Sequence, residues 1–344
     1  MASYDQRAVN ELLKQIRQHS SPHGDATQRL SHYFADGLEA RLAGTMTPSY
    51  SPVASMQTSA ADILRAHRLY VTASPLKKMS NFVANTTIME LAKDATRLHI
   101  IDFGISYGFQ WPCLIQHISE RPGGPPRYKS QQLSFPNEVF DLQKGLKRPG
   151  VKWESIRVED LNIDRNELIV VNCMHRLRHI LDETVMVGSP RDRVLKLIKK
   201  INPDLFVHGI INGTYSPPFF VTRFKEALFH FGALFDMFEA IVPREDQWRQ
   251  IFEREIYGRD IINVVACEGL ERVERPETYK QWNLRTLRTG FKQVPLEQDC
   301  LMKVKSMLKL TGYHKDFKID EDGEWMLQGW KGRTVMALSF WKPA

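Results

Sequence analysis

RLHIIDFGISYGFQWP, residues 97–112, is the stretch that decides the fold. Leu98-His99-Ile100-Ile101 is a short apolar run bounded by charge, the pattern of a strand buried on both faces. It ends in Asp102-Phe103-Gly104. Gly108-Phe109-Gln110-Trp111 then opens into LIQHIS, which has helical spacing. Strand, glycine-bearing turn and helix in that order form the first half of a βαβ unit. In such a unit a ligand crevice lies at the carboxyl end of the strand, with Asp102 and the amides of the Gly104–Gly108 turn facing it.

Upstream, residues 5–96 carry helical periodicity and are expected to form a cap. Leu12, Leu13 and Ile16 belong to one amphipathic helix; Leu30, Tyr33, Phe34, Leu38 and Leu42 belong to a second. HSSPHGD (19–25) separates them and offers Asp25 as an N-cap, and TMTPSYSPVAS (45–55) is a Pro/Ser-rich connector. Two further helices are expected over 58–73 and 76–95, with Pro75 at their boundary.

Downstream, residues 97–344 should hold an α/β core. A doubly wound sheet would continue after the first helix with another strand, helix and strand, yet RYKSQQLSFPNEVFDLQKGLKRPGV (127–151) offers only polar, Pro-bounded sequence with no buried strand. Alternation resumes with strands at 167–173 and 204–212 and a helix at 190–201. Gly209 inside the second of these strands requires a close neighbour. A long helix over 217–239 should bury Phe219, Phe220, Phe224, Leu228, Phe231, Leu234, Phe235 and Phe238; helix 247–257 and a strand at 260–269 follow. Helices at 276–289 and 296–308 precede three short strands, 317–320, 324–330 and 333–341, joined by Asp322-Gly323 and Lys331-Gly332 as an antiparallel meander. Trp325, Trp330 and Trp341 should be buried there.

At 344 residues, 42% hydrophobic and 25% charged, with a formal charge of +7, the composition is that of an ordinary globular protein with a mild basic excess. Lys199-Lys200 and Lys77-Lys78 are too short to serve as import signals and suit solvated helix ends. The best basic patch is Lys280, Arg285, Arg288 and Lys292, either a solvated helix face or a phosphate- or DNA-binding surface. Cys113, Cys173, Cys267 and Cys300 are too dispersed for a metal site or disulfide framework, so free thiols in a reducing compartment are expected. No apolar run is long enough for a membrane span, and the N-terminus has no signal-peptide core.

The spacing Asp102-x-Gly104-x-x-x-Gly108 resembles the first motif of methyltransferases that use S-adenosylmethionine. Two readings fit it: a cofactor-facing turn, or a tight joint whose Asp caps the next helix. His99, His175 and His208 have no partner at metal-ligand spacing, and neither a nucleophile elbow nor a phosphate-cradling loop is present, so no metal, no cofactor and no catalytic group is expected.

Leu98-His99-Ile100-Ile101-Asp102 also resembles the VHIID motif of the GRAS family of plant SCARECROW-like regulators. So do NPDLFVHGIINGTYSPPFFVTRFKEALFHFGALFDMFE (202–239), FEREIYGRDIINVVACEG (252–269), Arg272-Val273-Glu274-Arg275 within RVERPETYKQW (272–282), and WMLQGWKGRTVMALSFWKP (325–343), which carries the three tryptophans. The resemblance covers most of 5–126 and 152–343. It implies a Rossmann-like sheet of the methyltransferase type, a leucine-bearing helical cap that pairs with partners, and a transcription regulator of the nucleus, with the cytoplasm as a second location. The implied partners are DNA-binding transcription factors and other GRAS proteins, in homo- or heterodimers, with direct DNA contact secondary. Against the family pattern, the first cap helix is expected to be missing, which would leave Leu12, Leu13 and Ile16 uncovered, and part of the insertion around 127–151 is expected to be lost. That loss would remove the second strand's acidic tip, which in cofactor-binding relatives of the sheet grips ribose hydroxyls. Two rival readings follow: a methyltransferase-like enzyme using the Asp102–Gly108 turn, and a truncated remnant without function.

Overall fold

A computed structural model describes residues 6–44, 58–104, 107–133, 156–186 and 188–344. In chain order its elements are α1 (Gln6–Gln18), α2 (Ala26–Leu42), α3 (Ala60–Ala73), α4 (Pro75–Leu91), β1 (Arg97–Phe103), α5 (Trp111–Ser119), β2 (Arg127–Leu133), β3 (Leu168–Met174), α6 (Pro190–Ile201) and β4 (Leu205–Ile211). They continue with α7 (Phe220–Ile241), α8 (Gln247–Phe252), α9 (Arg259–Ala266), α10 (Tyr279–Arg288), β5 (Phe291–Val294), α11 (Gln298–Leu310), β6 (Phe317–Asp322), β7 (Trp325–Trp330) and β8 (Arg333–Pro343). The chain divides into two compact units, each built from two stretches of sequence: Met1–Ser74 with Gly213–Arg275, and Pro75–Asn212 with Pro276–Ala344. The single division at residue 96 expected from periodicity is therefore replaced by a discontinuous one. α4 belongs with the sheet, and α7 to α9 belong with the N-terminal helices.

The first unit is helical. Asp25 caps α2 as expected: its carboxylate accepts from the Gln28 amide at 2.9 Å, and the Gln28 side chain accepts in return from the Asp25 amide at 3.0 Å. The core is aromatic, with Tyr33, Phe34, Tyr70, Phe231, Phe235, Phe238, Phe252 and Tyr257 all buried, and Tyr70 stacked on Phe252 at 4.8 Å. The buried face of α7 begins later than its composition suggests. Phe219 and Leu228 are exposed, while Arg223 is fully buried and donates through Nε to the Val264 carbonyl at 2.9 Å. Residues 260–266 form helix α9 rather than a strand. Ile261, Val264 and Val265 are buried at helical spacing, and the apolar run is too short for its composition alone to distinguish the two periods. A π-helical segment, Glu253–Gly258, joins α8 to α9 and turns Glu253 inward onto Arg29, whose Nε lies 3.0 Å from its carboxylate. Gly258 lies so close to Tyr33 that an added Cβ would sit 2.8 Å from its ring.

The second unit is an α/β sandwich. Among the described residues the sheet has eight strands in the order β2-β1-β3-β4-β8-β7-β6, with β5 also paired to β8. β2, β1, β3 and β4 run parallel, and β8, β7 and β6 return antiparallel as the expected meander. Alternation along the strands splits the apolar residues into two layers. Leu98, Ile100, Val170, Val207 and Phe340 face α4, α5 and α11; Ile101, Phe103, Val171, Phe206 and Trp341 face α6 and α10. Gly209 is in place for the expected reason, because a Cβ there would meet the Met174 sulfur at 2.7 Å.

Two strands carried no recognisable signal. Residues 127–133, expected to hold no buried strand, form β2, paired in register with β1 from Arg97↔Arg127 to Phe103↔Leu133. It is an edge strand, half-exposed and polar, and its backbone pairing rather than its side chains defines it. β5 is four residues long and attached only to β8. The remainder of the atypical segment, 134–151, lies outside the described residues.

Candidate functional site

The carboxyl ends of β1 and β3 place Asp102 and Asn172 side by side, as their register pairing requires. Asp102 is buried. Its Oδ1 accepts from Asn172 Nδ2 at 3.1 Å, and its Oδ2 accepts from the Trp111 indole Nε1 at 3.0 Å. Gln110 extends the network: its Nε2 donates to Asn172 Oδ1 and to Asn85 Oδ1, each at 3.2 Å, while its Oε1 accepts from Asn172 at 3.2 Å. Removal from water pushes the Asp102 carboxyl up to about 6, against the lowering effect of the two hydrogen bonds. Asp102 does not cap the following helix. The residue before α5 is Gln110, which makes no side-chain capping bond, and Pro112 opens the helix instead. Both glycines of the motif have positive φ, +97° at Gly104 and +71° at Gly108. A Cβ on Gly104 would lie 2.8 Å from Arg176 Nε, whereas Gly108 faces open space.

The tip of β2, opposite Asp102 and Phe103, is Gln132-Leu133, so within the described residues that position offers an amide and no carboxylate. His99 lies below the crevice with its Nε2 3.2 Å from Gln131 Oε1 and its Nδ1 3.2 Å from Glu167 Oε2; burial and Lys129 lower its pKa. It thereby pins the edge strand. His175, at the end of β3, has φ +65° and donates its backbone N–H to the Gly209 carbonyl at 2.7 Å. Burial, Lys77 and Arg178 push its ring down to about 3. Among the described residues no group of His, Cys, Asp or Glu is placed to hold a metal ion. Of the thiols, Cys113 is exposed and Cys173, Cys267 and Cys300 are buried, and none is in a disulfide among the described residues.

The remaining singled-out residues are dispersed. Arg272-Val273-Glu274-Arg275 follows a helix, not a strand, and Asn263, which the sequence did not single out, holds it. Asn263 Oδ1 accepts from the Val273 and Glu274 amides, both at 2.9 Å. Arg272 donates to the Ser216 carbonyl, and Arg275 to the carbonyls of Arg272 and Gly269. Trp325, Trp330 and Trp341 are buried; Trp325 donates to Asn283 and Trp341 to Ser339. Leu12 is exposed, Ile16 half-buried and Leu13 buried.

Lys280, Arg285, Arg288 and Lys292 do not form one face. Arg285 turns inward to Glu277, Asp192 and Glu183 at 2.6–2.9 Å. Lys292 shares its strand face with Val294, which packs in the layer opposite α10. Only Lys280 and Arg288 remain exposed together on that helix.

Comparison with known proteins is decisive for kinship. The GRAS domain family matches residues 1–150 and 143–342. The chain belongs to the GRAS family. It is 50% identical to Scarecrow-like protein 14 of Arabidopsis thaliana over 99% of the chain and 47% of that protein, and 52% identical to Scarecrow-like protein 9 of the same plant over 100% and 50%. The chain thus spans about half the length of these curated relatives. The alignment to Scarecrow-like protein 14 runs over 361 positions, more than the 344 residues here, so that relative carries residues this GRAS chain lacks within the aligned span. The crystal structure of SCL7 in Oryza sativa matches with a TM-score of 0.79 at 26% identity, covering 96% of this chain and 93% of that one. The Rossmann-like sheet is therefore the GRAS fold. Among the described residues no helix is long and apolar enough to cross a membrane.

Proposed function

We propose that this GRAS chain regulates transcription in the nucleus by binding other proteins, including DNA-binding transcription factors and other GRAS proteins, and that it catalyses no reaction. One observation supports this above the others: the carboxylate at the mouth of the sheet already has both oxygens engaged by Trp111 and Asn172. A cofactor that took the place of Trp111 or Asn172 at this buried carboxylate would leave a buried indole N–H or amide without a partner. The crevice then acts as a structural joint, and recognition falls to the outer surface.

Calorimetric titration of the full chain with S-adenosylmethionine is expected to give no saturable heat. Saturable binding that disappears in Asp102→Ala overturns the non-enzymatic reading. Fused to a heterologous DNA-binding domain in plant cells, the chain is expected to change the output of a reporter carrying the matching site; unchanged output at equal expression overturns the regulatory reading.

A further inference from the structure

Helix α10 presents Leu284 and Leu287 to solvent at 54% and 45% exposure, while Trp282 and Thr286 on its other side are buried. Exposed Lys280 and Arg288 flank the two leucines at four-residue spacing from Leu284. α6 lies alongside. Arg285 of α10 bonds Asp192 and Ser189 at the start of α6, and Lys199 near its end sits directly against Gly290. α6 also carries Lys196 and Lys200, both exposed.

α10 and α6 carry a cationic excess. α10 contains no acidic residue, and the acids at its border with α6, Asp192, Glu183 and Glu277, are all engaged by Arg285. None of Lys280, Arg288, Lys196, Lys199 and Lys200 is in an ion pair among the described residues. An apolar pair at helical spacing within an unneutralised cationic surround calls for a partner of opposite pattern.

We propose that α10, with α6 beside it, is the docking surface for an acidic amphipathic helix of a protein partner. Leu or Phe side chains of that helix cover Leu284 and Leu287, and its Asp and Glu residues face Lys280, Arg288 and the α6 lysines. The leucines favour this occupant over a nucleic acid. A phosphate backbone gains from the cations but offers the two leucines no apolar surface, so a duplex would leave them wet or desolvate them against phosphate. The inference rests on the regulatory reading only for the class of partner. The peptide test below reads this face directly, so its failure is distinguishable from failure of the titration or reporter tests above.

The test uses the full chain and a fluorescein-labelled synthetic peptide of roughly four helical turns, with leucines at i, i+3, i+4 and i+7 and Glu or Asp elsewhere. Fluorescence anisotropy is expected to show saturable binding that weakens as salt rises. Leu284→Ser with Leu287→Ser, and separately a peptide whose leucines are replaced by serine, should each weaken binding by about tenfold or more. Arg288→Glu should weaken it and flatten the salt dependence. These side chains are exposed, so each variant should keep the parent melting temperature; Leu284→Ala with Leu287→Ala replaces any serine variant that does not. Absence of peptide binding, equal binding of the serine-substituted peptide, or tighter binding of a charge-matched DNA duplex that ignores the leucine changes each overturns the proposal.

Discussion

Lowering the pH should expose a specific weakness at His208. This ring lies in the middle of β4, fully buried, stacked on Phe206 at 5.1 Å and met edge-on by Trp282 at 5.2 Å and Trp325 at 5.6 Å. Neither ring nitrogen has a hydrogen-bond partner among the described residues. Burial alone pushes its pKa from 6.5 down to about 3. The folded protein therefore holds His208 neutral, while the unfolded chain takes up a proton as the pH falls through 6.5. Stability that is present above the unfolded pKa is lost progressively below it, and the loss levels off near the folded pKa. Each pH unit in that window is worth about 1.4 kcal/mol, so at about pH 5 the ring has removed about 2 kcal/mol relative to neutral conditions. His208→Leu, close in volume and unable to titrate, removes this dependence. Urea unfolding of both proteins at about pH 7 and about pH 5, followed by the fluorescence of the adjacent tryptophans, should show the variant gaining about 2 kcal/mol on the parent as the pH falls. If the two lose stability in parallel, the ring is not held neutral and the reasoning fails.

Three other outcomes are expected. Arg29→Ala strands Glu253, whose carboxyl burial raises against the lowering pull of Arg29 and Arg249, and should cost about 3–5 kcal/mol in urea melts. Arg29→Met combined with Glu253→Leu should cost less than Arg29→Ala alone; a larger loss would show that the pair matters for more than mutual neutralisation. Gly104→Ala, at φ +97° against Arg176, should cost about 2–3 kcal/mol, and Gly108→Ala, at φ +71° but facing open space, less, about 1–2 kcal/mol. Thiol titration of the native chain should label Cys113 rapidly and spare Cys173, Cys267 and Cys300 until urea is added, burial having pushed the Cys267 thiol up to about 11. Rapid labelling of a second thiol would contradict the burial described for these three.

Much of the fold was legible in the chain because buried strands and caps are local signals. Leu98–Ile101, the run before Cys173 and the meander turns at Gly323 and Gly332 each satisfy their own backbone geometry and burial pattern. The failures occurred where local pattern is silent. β2 is polar because it forms an edge, and it exists only by pairing with β1. Residues 260–266 have an apolar run that suits either period, and packing against α2 and α7 makes them a helix. The candidate site was legible only as residue types. Asp102 and its glycines were evident, but Asn172, which bonds Asp102, and Gln110 and Asn85, which bond in turn through Asn172, carried no signal because spacing along the chain does not show such a network.

By itself, then, the sequence determined the family, the strand–turn–helix at Asp102 and the burial of the three tryptophans, since each is written in contiguous residues. Tertiary structure alone decided that Asp102 is engaged by protein partners and that Arg285 is neutralised by three carboxylates, two of them from residues about ninety and a hundred positions away. It also decided that α6 brings Lys199 against Gly290 at the end of α10. Hydrogen bonds and ion pairs depend on distances between elements remote in sequence, and no spacing along one chain segment encodes those distances.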